Sequence, residues 1–135
     1  MPSKKPSNEW TKARFETFIR SILRQGFRKY PPKAMCLKEA SVGKKVNKAT
    51  KRVAEHYKCN ACENDFPLKA VNVDHIEPVT STIDGFKGWD DYIKRLFCDK
   101  SNLQVLCHDC HDIKSASENE VRYEAKRERK KLEND

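Results

Sequence analysis

Apolar residues along the chain fall in one-sided patches separated by long polar runs. Phe15, Phe18, Ile19, Ile22 and Leu23 stand at i, i+3, i+4, i+7 and i+8, which is one face of a helix. Gly26 and then Pro31 and Pro32 close that pattern, so a helix is expected over 11–25. A short second helix is expected from Pro32 to Ala40, broken by Gly43. Val46, Ala49, Thr50, Val53 and Tyr57 repeat the helical spacing, with Lys44, Lys45, Lys48, Lys51 and Arg52 on the other face. This pattern predicts an amphipathic basic helix over 44–57.

Beyond Lys58 the pattern shortens. The stretch "YKCNACENDF" reads as a cysteine-bearing turn. "AVNVDHIEPV" alternates and is β-branched, so it reads as a strand that ends at Pro78. "TSTIDGFKG" reads as a loop. "WDDYIKRLF" places Trp89, Tyr92, Ile93, Leu96 and Phe97 on one face of a short helix. "SNLQVLC" reads as extended. From His108 the chain favours helix to its end, with later turns so charged that they are expected to fray or stand in solvent. Residues 1–9, with Pro2 and Pro6 and no apolar period, read as a disordered basic arm. The expected organisation is that arm, a basic helical region over 10–57, a core over 58–117 and a charged helical extension over 118–135.

Composition sharpens this. Of 135 residues, 37% are hydrophobic and 36% charged, so one domain is expected, with a core thin enough to need help from a metal or a disulfide. No apolar run is long enough to span a membrane, and "MPSKKPSNEW" lacks an apolar leader. A reducing cytoplasm is the expected location, where thiols stay free to bind metal.

The net charge of +8 is unevenly spread. Residues 1–58 carry 16 Lys and Arg against 4 Asp and Glu, residues 59–117 carry 6 against 10, and residues 118–135 carry 6 against 6. A focused positive field suits a polyanion such as nucleic acid, or an anionic membrane surface. It also suits a merely solvated pair of basic helices. The acidic middle is unusual for a pure nucleic-acid-binding module and fits carboxylates that hold a metal.

Cys59 and Cys62 form one C-x2-C pair, and Cys107 and Cys110 form another. Each pair can put two thiolates on one ion at about 2.3 Å, so together they predict a structural zinc site with four sulfur ligands. A redox C-x-x-C fits less well, because no βαβ pattern accompanies the two copies. Cys36 and Cys98 have apolar neighbours and read as small buried hydrophobes. The paired knuckles would hold the strand end carrying Asp74 and His75 near the helix start carrying His111.

The run "VDHIEPV … SNLQVLCHDCHDIK" resembles the HNH nuclease motif, over about residues 56–117. The shared features are Asp before the first His, Pro three residues after it, the N-L-Q-x-L-C run and C-H-x-x-K at the close. The small phage-encoded members look most similar. The resemblance implies an α+β fold with a ββα-metal core, braced by four zinc-binding cysteines and flanked by N-terminal basic helices and a C-terminal helix.

The same resemblance implies an endonuclease that hydrolyses DNA phosphodiesters. His75 would be the general base, Asp74 and His111 would hold one divalent cation, and Asn102 would orient the loop. By ligand type that cation is Mg or Mn, with Ni and Zn as alternatives. Lys114 and His108 are candidate phosphate contacts, with plain exposure as the other reading of His108. Glu77 either orients His75 or is simply solvated, and His56 is expected to be structural. The basic segments 11–25 and 44–57, the latter carrying Lys44, Lys45, Lys48, Lys51 and Arg52, would supply salt-sensitive backbone affinity.

The chain leaves little room for a sequence-reading module, so weak specificity is expected, in a phage or mobile-element setting such as genome packaging. The competing readings are a non-catalytic zinc module that binds nucleic acid, and a packaging accessory that contacts a terminase or another packaging protein. No heptad or apolar seam signals a dimer, which favours a monomer.

Overall fold

The computed structural model describes residues 10–134, so the arm read at 1–9 lies outside the described residues. The chain is α+β, with four helices and two small antiparallel sheets among those residues. Helix α1 (Lys12–Phe27) starts where the Thr11 side chain accepts the Arg14 N–H at 3.2 Å, and it ends on buried Phe27. Pro31 and Pro32 open α2 (Pro31–Glu39), where a missing N–H costs nothing.

The basic helix expected over 44–57 does not form. In its place β1 (Ser41–Val46) pairs with β2 (Val53–Lys58), and β3 (Asp65–Pro67) adds to β2. Three local features outweigh the helical spacing. Lys51, inside the segment, sits at φ +61°, which an α-helix forbids. Asn47 Oδ1 accepts the Ala49 N–H at 2.9 Å and Thr50 Oγ1 accepts the Arg52 N–H at 3.3 Å, so these side chains build a turn. β-Branched Val42, Val46 and Val53 then favour the paired strands on either side. The period-3.6 match was a coincidence of a six-residue turn joining two short strands.

The second sheet is β4 (Val71–His75) against β5 (Leu103–Cys107), in the register Val71 to Cys107, Asp74 to Gln104 and His75 to Leu103. The expected strand, the short helix α3 (Trp89–Leu96) and the extended "LQVLC" all form. β5 runs directly into α4 (His108–Asn134). That helix continues unbroken through the charged segment. It is not left clear of the body, because Arg122 donates to the Thr80 carbonyl at 3.1 Å and Arg129 donates to that of Ile83. No helix among the described residues is long and apolar enough to cross a membrane.

The core is small, as the composition implied. Phe27, Cys36, Val71, Val79, Tyr92, Leu96, Leu103 and Val105 form one cluster, so α1, α2 and α3 all meet the β4–β5 pair. Tyr30 Oη donates to the carbonyls of Phe97 and Cys98 and ties the start of α2 to the end of α3. Cys36 is buried in this core, as expected of a small hydrophobe, and Cys98 packs against it. His56 is also structural: its side chain is buried and Nδ1 meets the Ala54 carbonyl at 2.8 Å.

Leu96 has almost no exposed surface and lies at the junction of α3 with β4. Leu96→Ala should therefore cost about 2–5 kcal/mol in urea denaturation, with the four cysteines still able to bind metal.

Candidate functional site

Cys59 and Cys62 lie on the turn between β2 and β3, and Cys107 and Cys110 lie at the junction of β5 with α4. Their four sulfurs all lie within 4.8 Å of one another, and they are placed to bind a metal ion such as zinc. The Cys62 and Cys107 sulfurs are 4.0 Å apart. A tetrahedron at the usual zinc–sulfur distance has edges of about 3.8 Å.

The thiols also compete electrically. Burial raises the Cys59 thiol, but N–H groups of Cys107, Cys62 and Ala61 turned toward the sulfur outweigh it and bring it down to about 6. Cys110 is pushed up to about 12, first by its hydrogen bond with Cys107 and then by burial. Four thiolates in so small a space need a cation between them, which is the chemistry of this donor set.

The knuckle holds the start of α4 against β4, and the second constellation forms there. The Asp74 carboxylate is held on one side, where Oδ2 accepts from Gln104 Nε2 at 3.1 Å and from Lys114 Nζ at 3.2 Å. Its other oxygen, Oδ1, lies 3.6 Å from His111 Nε2. The Asp74 side chain is only 12% exposed and that of His111 is 35% exposed, so this pair opens to solvent on the His111 side. The two side chains converge, and they can offer two donors to one ion.

His75 is fixed differently. Its Nε2 meets the Leu96 carbonyl at 2.8 Å, and its ring packs on Phe27 with centroids 4.9 Å apart. A carbonyl only accepts, so Nε2 carries the proton and Nδ1 keeps its lone pair. Burial pushes the imidazole below its ordinary range. The Leu96 carbonyl and Asp74 pull the other way, while the cations Arg24 and Lys114 add to the effect of burial. These effects favour the neutral imidazole, whose free lone pair is on Nδ1.

Asn102 clamps the turn after β4. Its Oδ1 accepts the Glu77 N–H at 2.9 Å, its Nδ2 donates to the Glu77 carbonyl at 3.3 Å, and its own carbonyl accepts the Ile76 N–H at 2.8 Å. The Glu77 side chain is exposed.

Asp74, His75 and His111 line one cleft of about 810 Å³. The facing wall belongs to α1 and the residue that caps its end, through Thr17, Arg20, Arg24 and the cap Arg28, with Arg122 of α4 also present. These arginines were not singled out by the apolar pattern, although Arg20, Arg24 and Arg28 recur every fourth residue and so share a helix face.

Other expected contacts lie elsewhere. Lys114 does not line the cleft. Its ammonium holds Asp74 Oδ2, the His75 carbonyl at 3.0 Å and Glu118 at 2.7 Å. Burial opposes that charge, but the Glu118 and Asp74 bonds outweigh it and raise the ammonium above its ordinary range. His108 is exposed and also lies outside the cleft lining. Lys44, Lys45, Lys48, Lys51 and Arg52 sit on the β1–β2 hairpin, outside the cleft lining, and Lys45 pairs with Asp65.

No protein-family model, curated protein or solved structure matches this chain. The site is therefore judged on its own geometry.

Cys59→Ser should release the bound metal and lower the melting midpoint by about 10 °C or more, because metal binding and folding are linked. His111→Ala should keep a full equivalent of metal on the sulfurs. Elemental analysis of the purified variants checks both.

Proposed function

We propose that the protein is a metal-dependent endonuclease of the HNH type, acting on phosphodiester bonds in DNA. One observation carries this reading. Asp74, His75 and His111 line a single cleft whose other wall is a row of arginines. An antiparallel strand pair running into a helix, with cysteine knuckles at its base, is the frame that the sequence resemblance implies for these three residues.

Hydrolysis of an anionic diester needs a deprotonated water, positive charge against the phosphate and help for the departing oxygen. His75 serves as the base through Nδ1, because Nε2 is engaged by Leu96 and fixes both the tautomer and the ring plane. Asp74 and His111 fit a divalent cation, one hard oxygen and one nitrogen donor with solvent on one side, and such an ion when bound supplies Lewis-acid stabilisation of the phosphate and of the departing oxygen. Lys114 and Gln104 keep Asp74 aimed by holding Oδ2, and Asn102 keeps the turn after His75 in place. The arginine wall neutralises the strand that enters.

Supercoiled plasmid incubated with the protein and Mg or Mn should be nicked or linearised. His75→Ala should reduce cutting by at least about 100-fold, with helical content and bound metal retained. Cutting that survives this substitution removes His75 as the base. Plasmid that is shifted but never cut by the wild type makes the protein a binding module instead.

The base works only when neutral, and burial lowers the His75 pKa. The groups facing it are Arg24 from α1, Asp74 beside it on β4 and Lys114 from α4. Cleavage should accordingly hold through neutral pH and fall only below the ordinary histidine range. A rate–pH profile with its acid limb above that range contradicts the assignment.

A further inference from the structure

We propose that the arginine face of α1 is a track for one nucleic-acid strand, on which Arg24, held by Tyr92 Oη, seats the phosphate beside His75. The proposal rests on the hydrolytic reading of the cleft. Arg20, Arg24 and Arg28 all line that cleft. Eight residue steps separate the first from the last, or about 12 Å, the rise of three or four base pairs along the axis of a duplex. A single small anion needs one clamp, whereas a row of guanidiniums at regular spacing suits a polyanion.

Arg24 is the most constrained of the three. Its Nε donates to Tyr92 Oη at 3.0 Å. Tyr92 is almost fully buried, and its ring is packed by Trp89 and Phe86. The anchor is therefore rigid, and the bond uses only Nε. Among the described residues the two terminal nitrogens of Arg24 make no other hydrogen bond, so they remain a planar fork of the kind that grips a phosphate. Phe27, three residues further along α1, packs on the His75 ring, which places this turn of the helix directly against the base.

Its neighbours are freer. The Arg28 side chain has no hydrogen bond or ion pair among the described residues. Arg20 reaches Thr17 at 3.2 Å and Glu16 at 3.9 Å, and its guanidinium lies 5.7 Å from the centre of the Phe86 ring, contacts that leave it more adaptable than Arg24. The arrangement is one preset arginine at the reacting position with an adaptable arginine on either side.

The test uses the full chain with a fluorescein-labelled DNA duplex, read by anisotropy at several salt concentrations without added divalent cation, and plasmid cutting in Mn. Arg20→Gln and Arg28→Gln should each weaken binding about fivefold or more and flatten the slope of log K against log salt by about 1. Arg24→Lys keeps the charge but not the fork. It should bind within about threefold of the wild type yet cut about 100-fold more slowly. Tyr92→Phe keeps the buried ring and should slow cutting about tenfold with Arg24 still present.

Wild-type affinity and salt slope in both glutamine variants overturn the track. Wild-type cutting by Arg24→Lys overturns the seat, even where Tyr92→Phe fails to fold. A wild type that cuts nothing sinks the hydrolytic reading and the seat with it, while the binding arms still decide the track. A wild type that binds a poly-glutamate peptide and no DNA assigns the face to an acidic protein and overturns the proposal.

Discussion

Four sulfur atoms within 4.8 Å of one another join the turn after β2 to the start of α4, and the rest of the molecule is arranged around that junction. The two cysteine pairs are far apart in the chain, so one ion bound between them would close a long loop. Closing such a loop removes much of the freedom of the unfolded chain. It would also add the binding energy of the ion to a fold whose buried apolar cluster is small. The consequence for the site is geometric. Val71 pairs with Cys107, so the sulfurs anchor one end of the β4–β5 ladder, and three residues further along it Asp74 pairs with Gln104. Fixing Cys107 and Cys110 sets where α4 begins, and that sets how His111 and Lys114 meet Asp74.

Asp74 is the point where these constraints converge. One of its oxygens is shared by Gln104 from the neighbouring strand and Lys114 from the helix, and the other is turned toward His111. A carboxylate this buried needs compensation for the water it has lost. Lys114 provides it, and its ammonium in turn is balanced by Glu118. The lysine was expected as a phosphate contact because it follows His111 by one helical repeat. Its orientation instead makes it a support, holding the Asp74 carboxylate and the backbone of His75 with the same ammonium.

The site was more legible in the sequence than the frame around it. Spacing alone was enough to pair the four cysteines, because a C-x2-C turn admits few geometries. The resemblance then pointed to Asp74, His75, Asn102 and His111, and three of these four line one cleft, with Asn102 clamping the turn beside them. The segment 44–57 was not legible. A short hairpin with a polar turn can imitate a helical period when its valines fall by chance at 46 and 53, and only the turn-forming Asn47 and Thr50 distinguish the two. The arginine wall was legible only as part of a basic segment, 11–25, expected to give backbone affinity, and not as a wall of the site. Hydrophobic spacing locates the buried face of α1, but where its basic face points depends on how α1 rolls against α3. Phe27 and Leu23 pack into the core, whereas Phe18 and Ile22 stay about half exposed. That roll turns Arg20, Arg24 and Arg28 inward over the site.

The charge imbalance along the chain thus becomes an imbalance across a cleft. The strongly basic first part was expected to give affinity for a polyanion and the acidic middle to hold a metal. Folding opposes α1 and β4, so cations from the first part face Asp74 from the second across about 810 Å³. Opposite charges held apart by a solvent-filled gap do not neutralise one another as a contact pair does, because intervening water screens them. The gap therefore leaves an open demand for anions along α1, while Asp74, whose Oδ2 is compensated by Lys114, still turns Oδ1 toward His111, where a cation can be met. On the proposed reading, a phosphate bridged to a metal ion would meet both at once, which neither a bare anion nor a bare cation would do.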